Sequence, residues 1–308
     1  IYILIMDLNK LTGFNNIGNT CYLNSALQLI IHCTVFSKFI LSNNFTNKFL
    51  KGYKQTLIDY FTNNVVSLSP NIIKKYIGRR NNMFSGFSQQ DSHELIVFLL
   101  DYLEECLKEE KDNNIKLINN TDHKKILSIL FDCKISSIVK CNEKNCNDKS
   151  KTKGNERMLS LPIPVNLEKI SLINCLEEFS KEEMLDGDNM WFSEKLDKKV
   201  NASKKLIVKT FPKYLLIHLK RFSFYGSSNK IDRQIDIPFE LNLNNNKYNL
   251  RGFILHLGSV GGGHYMSFIK KEKWHCCNDS NVSSIDDDRI RNISKSGYIF
   301  LFVKDKNN

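Results

Sequence analysis

The residues best suited to chemistry are a cysteine near one end of the chain and a histidine near the other. Cys21 stands in Asn16-Ile17-Gly18-Asn19-Thr20-Cys21-Tyr22-Leu23-Asn24-Ser25, where a polar, glycine-containing stretch gives way to an apolar one. His264 directly follows Gly261-Gly262-Gly263 and precedes Tyr265. A thiol paired with an imidazole is a nucleophile with its own base, which acyl transfer requires. A third group must orient the imidazole. Asn278 and Asp279 stand fourteen and fifteen residues further on, within Trp274-His275-Cys276-Cys277-Asn278-Asp279-Ser280. Asn16, five residues before the cysteine, carries an amide able to donate to a developing oxyanion, or to serve as an ordinary turn residue.

The elements that must position these groups follow from periodicity. Leu23, Ala26, Leu27, Ile30 and Ile31 recur at helical spacing and predict a buried helix from about Thr20 to Cys33. Cys21 then lies in the first turn, where unpaired N–H groups and the helix dipole favour an anion, so a lowered thiol pKa is expected. Cys33, Cys106, Cys133 and Cys175 have no such setting and are expected as small buried hydrophobes. Tyr265-Met266-Ser267-Phe268-Ile269 alternates like a strand, and Lys270-Lys271-Glu272-Lys273 is its turn. A returning strand at Trp274–Cys277 brings Asn278 back beside His264, and puts Cys276 and Cys277 on opposite faces. His32, His93, His123, His218, His256 and His275 are expected as satisfied core histidines.

Further segments join these two. Asn16–Gln28, containing GNTCYLNS, resembles the Cys box of the ubiquitin-specific proteases, the papain-like cysteine deubiquitinases. Ser88-Gln89-Gln90-Asp91-Ser92-His93-Glu94 resembles their Gln-Gln-Asp box, and Leu215-Leu216-Ile217-His218-Leu219-Lys220-Arg221-Phe222 a core palm strand. Gly262–Tyr265 with Trp274–Ser280 resembles the His box, and Tyr298-Ile299-Phe300-Leu301-Phe302 the closing strand. The resemblance runs over nearly the whole chain.

It implies an α+β, hand-like fold in one catalytic unit over 1–308. The thumb would span about 12–125, the fingers about 126–206 and 232–250, and the palm about 158–165, 207–231 and 251–308. It implies a triad of Cys21, His264 and Asn278, with Asp279 sharing the orienting role and Asn16 in the oxyanion hole. The substrate implied is ubiquitin, joined through its last glycine to a lysine and cleaved by way of a Cys21 thioester. The tail of ubiquitin, Leu-Arg-Leu-Arg-Gly-Gly, needs acidic partners and a channel too narrow for side chains. Gln89, Asp91, Glu94, Gly262, Gly263 and Tyr265 match the positions that meet it, although Asp91 and Glu94 also suit an ordinary helix start. A general papain-like peptidase explains the Cys/His/Asn set but not the Gln-Gln-Asp box or palm strand. A ubiquitin-binding module without activity would not need every catalytic position filled. A protease for another ubiquitin-like modifier, SUMO- or NEDD8-type, shares the Gly-Gly requirement and stays open.

Many members of that family hold zinc in the fingers through two Cys-x-x-Cys pairs. Here Cys141 and Cys146 have four residues between them, and Ser193 and Leu196 stand at the second pair's place. Neither can replace a thiolate. No metal and no cofactor is therefore expected.

Composition narrows the setting. With 308 residues, 42% of them hydrophobic, the chain can bury a large core. It begins with Ile rather than Met, as an excised domain would, and no apolar run approaches membrane-spanning length. Nine cysteines without framework spacing, and the need for a free thiol, suggest a reducing compartment, cytosol or nucleus. The net charge of +11 invites a nucleic-acid reading, but the lysines are scattered and no stacking platform accompanies them, so none is expected. Nothing demands more than a monomer.

Along the chain, Gln89–Lys108 is a predicted helix and Leu172–Leu185 a shorter one. Ile126–Val139 and Met158–Val165 are predicted strand-rich, with strands at Ile207–Ile217 and Tyr248–Leu257. Asp112–Lys125 and Asn142–Asn155 are predicted loops, and Asn242–Asn249 a turn. Gly258–Gly263 resembles a loop that in that family overlies the substrate tail and moves on binding, with Phe224–Lys230 as its companion, and four glycines in six residues make such motion easy.

Overall fold

Every residue of α1 (Cys21–Ile31) is buried, so this helix is enclosed on all sides rather than amphipathic. The computed structural model describes residues 6–62, 64–110, 115, 122–223, 229–259 and 261–305. After α1 come α2 (Thr34–Ser42), α3 (Lys48–Thr62), α4 (Asn71–Arg80) and α5 (Ser92–Glu109). α5 starts at Ser92 because Asp91 caps it, Oδ1 accepting the N–H groups of His93 and Glu94 at 2.6 and 3.4 Å.

Residues 126–139 depart from the strand-rich expectation. Ile126–Phe131 forms a helix, α6, and only then does β1 (Cys133–Cys141) begin. A short apolar run carries no decisive period. Asp122, whose carboxylate accepts the Lys124 N–H at 3.0 Å, starts a helical turn that continues into it. β2 (Lys149–Glu156) is a second departure, since 142–155 carries no apolar alternation and reads as loop. It is an exposed edge strand paired antiparallel to β1, and Lys149, Lys151 and Lys153 along it discourage further pairing. The predicted loop at 112–125 lies largely outside the described residues, as do 224–228 of the companion loop.

β3 (Leu159–Leu161), α7 (Leu172–Phe179), β4 (Glu183–Leu185), β5 (Ala202–Thr210) and β6 (Tyr214–Leu219) follow. The helix expected over 172–185 thus ends at Phe179. The single strand expected at 207–217 is two, parted at Phe211-Pro212-Lys213, where proline cannot donate to a ladder. β7 (Glu240–Leu243) turns through Asn244-Asn245, both at positive φ, into β8 (Asn246–Ser259). β9 (Gly262–Lys270), β10 (Trp274–Asn278), β11 (Asn281–Ile285), α8 (Asp287–Ser294) and β12 (Gly297–Lys304) complete the chain.

Two sheets organise these strands. A four-stranded sheet has the order β2-β1-β5-β4. An eight-stranded sheet runs β11-β10-β9-β8-β12-β6-β3, with β7 added alongside β8. Its inner strands are buried on both faces. Leu216, Ile254, Ile299 and Leu301 pack in the core shared with α1 to α6, whereas Leu215, Ile217, Phe253, Phe300 and Phe302 fill a second core behind the sheet. Successive strand residues point opposite ways, so both neighbours must be apolar, which explains the unbroken runs at 214–219 and 298–303. α1 lies against β9 on one side and α5 on the other.

Cys141 and Cys146 form a disulfide with Cα atoms 6.0 Å apart. Ser193 is fully buried, donates to the carboxylate of Asp148, two residues past Cys146, at 2.5 Å and accepts the Leu196 N–H at 3.3 Å. Among the described residues no group of three or more metal-binding side chains gathers. Nor is any single described helix long and apolar enough to cross a membrane.

Candidate active site

Cys21 is the first residue of α1 and only 4% exposed. The loop that delivers it is built around Asn16, whose Oδ1 accepts the N–H groups of Gly18 and Thr20 at 3.2 and 3.0 Å. Gly18 and Asn19 sit at φ 111° and 52°, the left-handed turn that lets the chain reverse into the helix. The expected lowering of the thiol pKa is not what this setting produces. Burial pushes the Cys21 thiol up, and nearby Asp279 adds to the rise. The backbone N–H groups of Tyr265, Tyr22 and Cys21 itself pull it only partly back. Desolvation over the whole sulfur outweighs the partial charges of one helix end. In the free enzyme the alkylation rate of Cys21 by iodoacetamide, followed by peptide mapping, should therefore keep rising above the ordinary thiol range near pH 8.5. A plateau reached below about pH 8 would contradict this.

The predicted hairpin is present. β9 and β10 pair with Ser267 opposite Cys277 and Lys270 opposite Trp274, and their turn spans 271–273. This returns Asn278 to His264, whose Nε2 lies 2.6 Å from Asn278 Oδ1. An amide oxygen only accepts, so Nε2 carries the proton and Nδ1 holds the lone pair that a base needs. Tyr265, the next residue, offers its N–H to Cys21 and is itself buried. No hydrogen bond joins the Cys21 sulfur to the imidazole in this state.

Asp279 does not touch the imidazole. Its carboxylate accepts from Asn16 Nδ2 at 3.0 Å and from Asn24 Nδ2 at 2.7 Å, and its carbonyl accepts the Phe14 N–H at 2.9 Å. Among the described residues, the side chain bonded to the imidazole is Asn278, and Asp279 is bonded to Asn16 and Asn24 instead. One Asn16 amide proton is held by that carboxylate, and the other has no partner among the described residues. Asp279 sits at φ 49°, so adjacent carboxyl-type side chains diverge, one toward β9 and one toward α1.

Gln89, Gln90, Asp91, Glu94, Gly262 and Tyr265 share a cleft of about 260 Å³. Gln89 Oε1 accepts the Gly263 N–H at 2.8 Å across it. Asp91 Oδ2 accepts from the hydroxyls of Tyr298 and Tyr265 at 2.7 and 3.4 Å, so one carboxylate caps α5 and ties it to two strands. Burial, with Asp91 beside it, pushes the Glu94 carboxyl up. A Cβ on Gly263 would collide with the Leu257 carbonyl and the His256 ring. Gly258 to Gly263 is described except at Val260.

Of the other histidines, His256 departs from the core expectation. Its ring lines the cleft 4.5 Å from that of Tyr265, and Nδ1, though buried, has no partner among the described residues. Burial holds it down at about 4, so it is neutral. The signal was the strand alternation of 248–257, which only pairing with β9 turns into a position beside His264. Asn24 was also missed, as a polar residue inside an apolar helix. Cys33, Cys106, Cys133 and Cys175 are all buried and free.

The model of the ubiquitin carboxyl-terminal hydrolase family (UCH) matches residues 12–302. Ubiquitin carboxyl-terminal hydrolase Usp2 of Drosophila melanogaster is 31% identical over 96% of this chain and 35% of its own length. Ubiquitin carboxyl-terminal hydrolase 4 of Arabidopsis thaliana is 28% identical over 94% of this chain and 92% of its own. The chain thus spans about a third of the first relative and nearly all of the second. Among solved structures, the SAGA Ubp8/Sgf11/Sus1/Sgf73 DUB module bound to ubiquitin aldehyde superposes with a TM-score of 0.80 at 26% identity, covering 97% of this chain and 70% of that one. The same module with Ubp8(C146A), bound to monoubiquitin, gives 0.79 at 26% identity. With the fold, the cysteine-bearing helix and the family model all in agreement, this chain belongs to the ubiquitin carboxyl-terminal hydrolases, a family of cysteine-type deubiquitinating enzymes.

Proposed function

We propose that the chain is a thiol-dependent deubiquitinase, hydrolysing the isopeptide or peptide bond after the C-terminal glycine of ubiquitin through a thioester on Cys21. His264 Nδ1 takes the thiol proton, and the thiolate adds to the glycine carbonyl. Asn16 Nδ2 and the Cys21 N–H donate to the oxyanion. The tetrahedral adduct expels the lysine amine, which leaves with the proton from His264. Water, deprotonated by the same imidazole, then splits the thioester and restores the thiol. Asp91 and Glu94 receive the tail arginines, and Gly262 and Gly263 leave room for its two glycines. Burial raises the Cys21 thiol, so the free chain holds it as thiol and the reaction needs a base beside it to take that proton.

The observation that carries this reading is the 2.6 Å bond from His264 to Asn278, formed on the strand that α1 presses with Cys21 at its first turn. The ubiquitin held by both solved neighbours supports the substrate. A panel of ubiquitin-like proteins bearing C-terminal electrophiles tests it. The expected result is labelling of Cys21 by the ubiquitin probe alone. Preferential labelling by a SUMO- or NEDD8-type probe would move the enzyme to another modifier.

A further inference from the structure

A second cavity lies at the far ends of the two elements that carry the catalytic pair. α1 starts at Cys21 and is capped at its other end by His32, and β9 starts beside His264 and ends at Lys270. At about 1.5 Å per helical residue and 3.3 Å per strand residue, these ends lie roughly 15 and 20 Å from the chemistry. The cavity between them measures about 650 Å³. One wall is the corner from α1 into α2, and the other is the sheet around β6, β8, β9 and β12.

Its charge is one-sided. Lys38, Lys213, Arg251, Lys270, Lys271 and Lys304 line it, against Glu272 and Asp305. Lys270 pairs with Asp287 at 3.2 Å, and Lys271 Nζ donates to the Leu8 carbonyl at 2.9 Å. Lys38, Lys213, Arg251 and Lys304 form no ion pair with any described residue. Like charges gathered in a cleft with low-dielectric walls repel one another and focus a positive potential into it. Burial holds Lys271 down at about 8, with Asp7 drawing it partly back, while Lys38 and Arg251 stand exposed to solvent. His32 lines the cavity too, with its Nδ1 bonded to the Gln28 carbonyl at 2.6 Å and the Lys10 backbone beside its ring.

We propose that this cavity binds a small polyphosphate anion, which bridges the α1–α2 corner to the central sheet. The volume exceeds what one phosphate fills and falls in the range of small-ligand sites. Arginine with several lysines is the donor set that phosphate oxygens take up. Bound there, the anion ties together the two layers whose opposite ends must meet for Cys21 and His264 to react.

Titration calorimetry of the whole chain with sodium tripolyphosphate at about 0.15 M ionic strength tests this. Saturable one-to-one binding is expected, weakened at least about tenfold in R251Q/K304Q. K151Q/K153Q, on the exposed strand β2, should bind as the parent does. Amide exchange should slow across α2 and the start of β6 on binding. Turnover without the anion should be unchanged in R251Q/K304Q, which shows that the variant is folded. Equal binding by R251Q/K304Q, equal loss in K151Q/K153Q, or unchanged exchange at α2 would overturn the assignment. So would a response matched by sodium sulfate at the same ionic strength. A poly-glutamate peptide binding more tightly than tripolyphosphate would replace the small anion with an acidic protein segment, and the proposal would fall. None of these outcomes depends on the identity of the modifier that the enzyme cleaves.

Discussion

Replacing Cys21 with serine should lower ubiquitin-amide hydrolysis by about 10,000-fold or more while leaving ubiquitin affinity within a few-fold. The hydroxyl is nearly isosteric, so α1 keeps its buried first turn and the Ser25 hydroxyl keeps its 2.5 Å bond to the residue-21 carbonyl. Chemistry is lost for a different reason. An alcohol is far harder to ionise than a thiol, and a site that already raises the thiol by burial cannot supply an alkoxide. Release of a fluorophore from the C-terminus of ubiquitin measures the rate, and calorimetry with free ubiquitin measures binding. Full hydrolysis by this variant would remove Cys21 as the nucleophile. Loss of binding together with rate would show that the change had disturbed the fold instead.

Asp279→Ala should cost about 100- to 1,000-fold in kcat with KM little affected, although the residue makes no contact with His264. Asn16 loses the carboxylate that fixes its amide at 3.0 Å, and Asn24 loses its 2.7 Å partner in the same stroke. Oxyanion donors act through preorganisation, so an amide free to rotate contributes little at the moment of reaction. Asn16→Ala should therefore fall in the same range, and Asn16→Ala/Asp279→Ala hardly lower than either alone. Multiplying losses in the double variant would mean that Asp279 acts by another route. Thermal melting of Asp279→Ala separates this from a general loss of stability, since the Phe14 backbone bond to residue 279 survives the substitution.

Much of this site was legible before any coordinates. A Cys at the junction of a polar loop and an apolar period was readable as a helix start, and a hairpin whose turn at 270–273 is written in charge was readable as bringing Asn278 back to His264. The misreadings share a cause. At 126–131 and 142–155 the local pattern was too short or too polar to carry a period, and a cap at Asp122 or a partner strand decided the outcome. At 207–217 the apolar count hid Pro212, where the chain must leave one sheet and join another.

What the sequence alone determined is the inventory of reactive groups and the elements that bear them, because those follow from side-chain chemistry and from periods of 3.6 and 2. What only the tertiary structure decided is their environment. A helix start argues for an acidic thiol, yet packing α1 on every side strips water from the sulfur and reverses the sign. Asn278 and Asp279 are neighbours with similar reach, yet a left-handed turn at 279 sends one to the imidazole and the other to Asn16 and Asn24. Solvation and direction depend on every layer packed around a residue, and no local stretch of chain contains them.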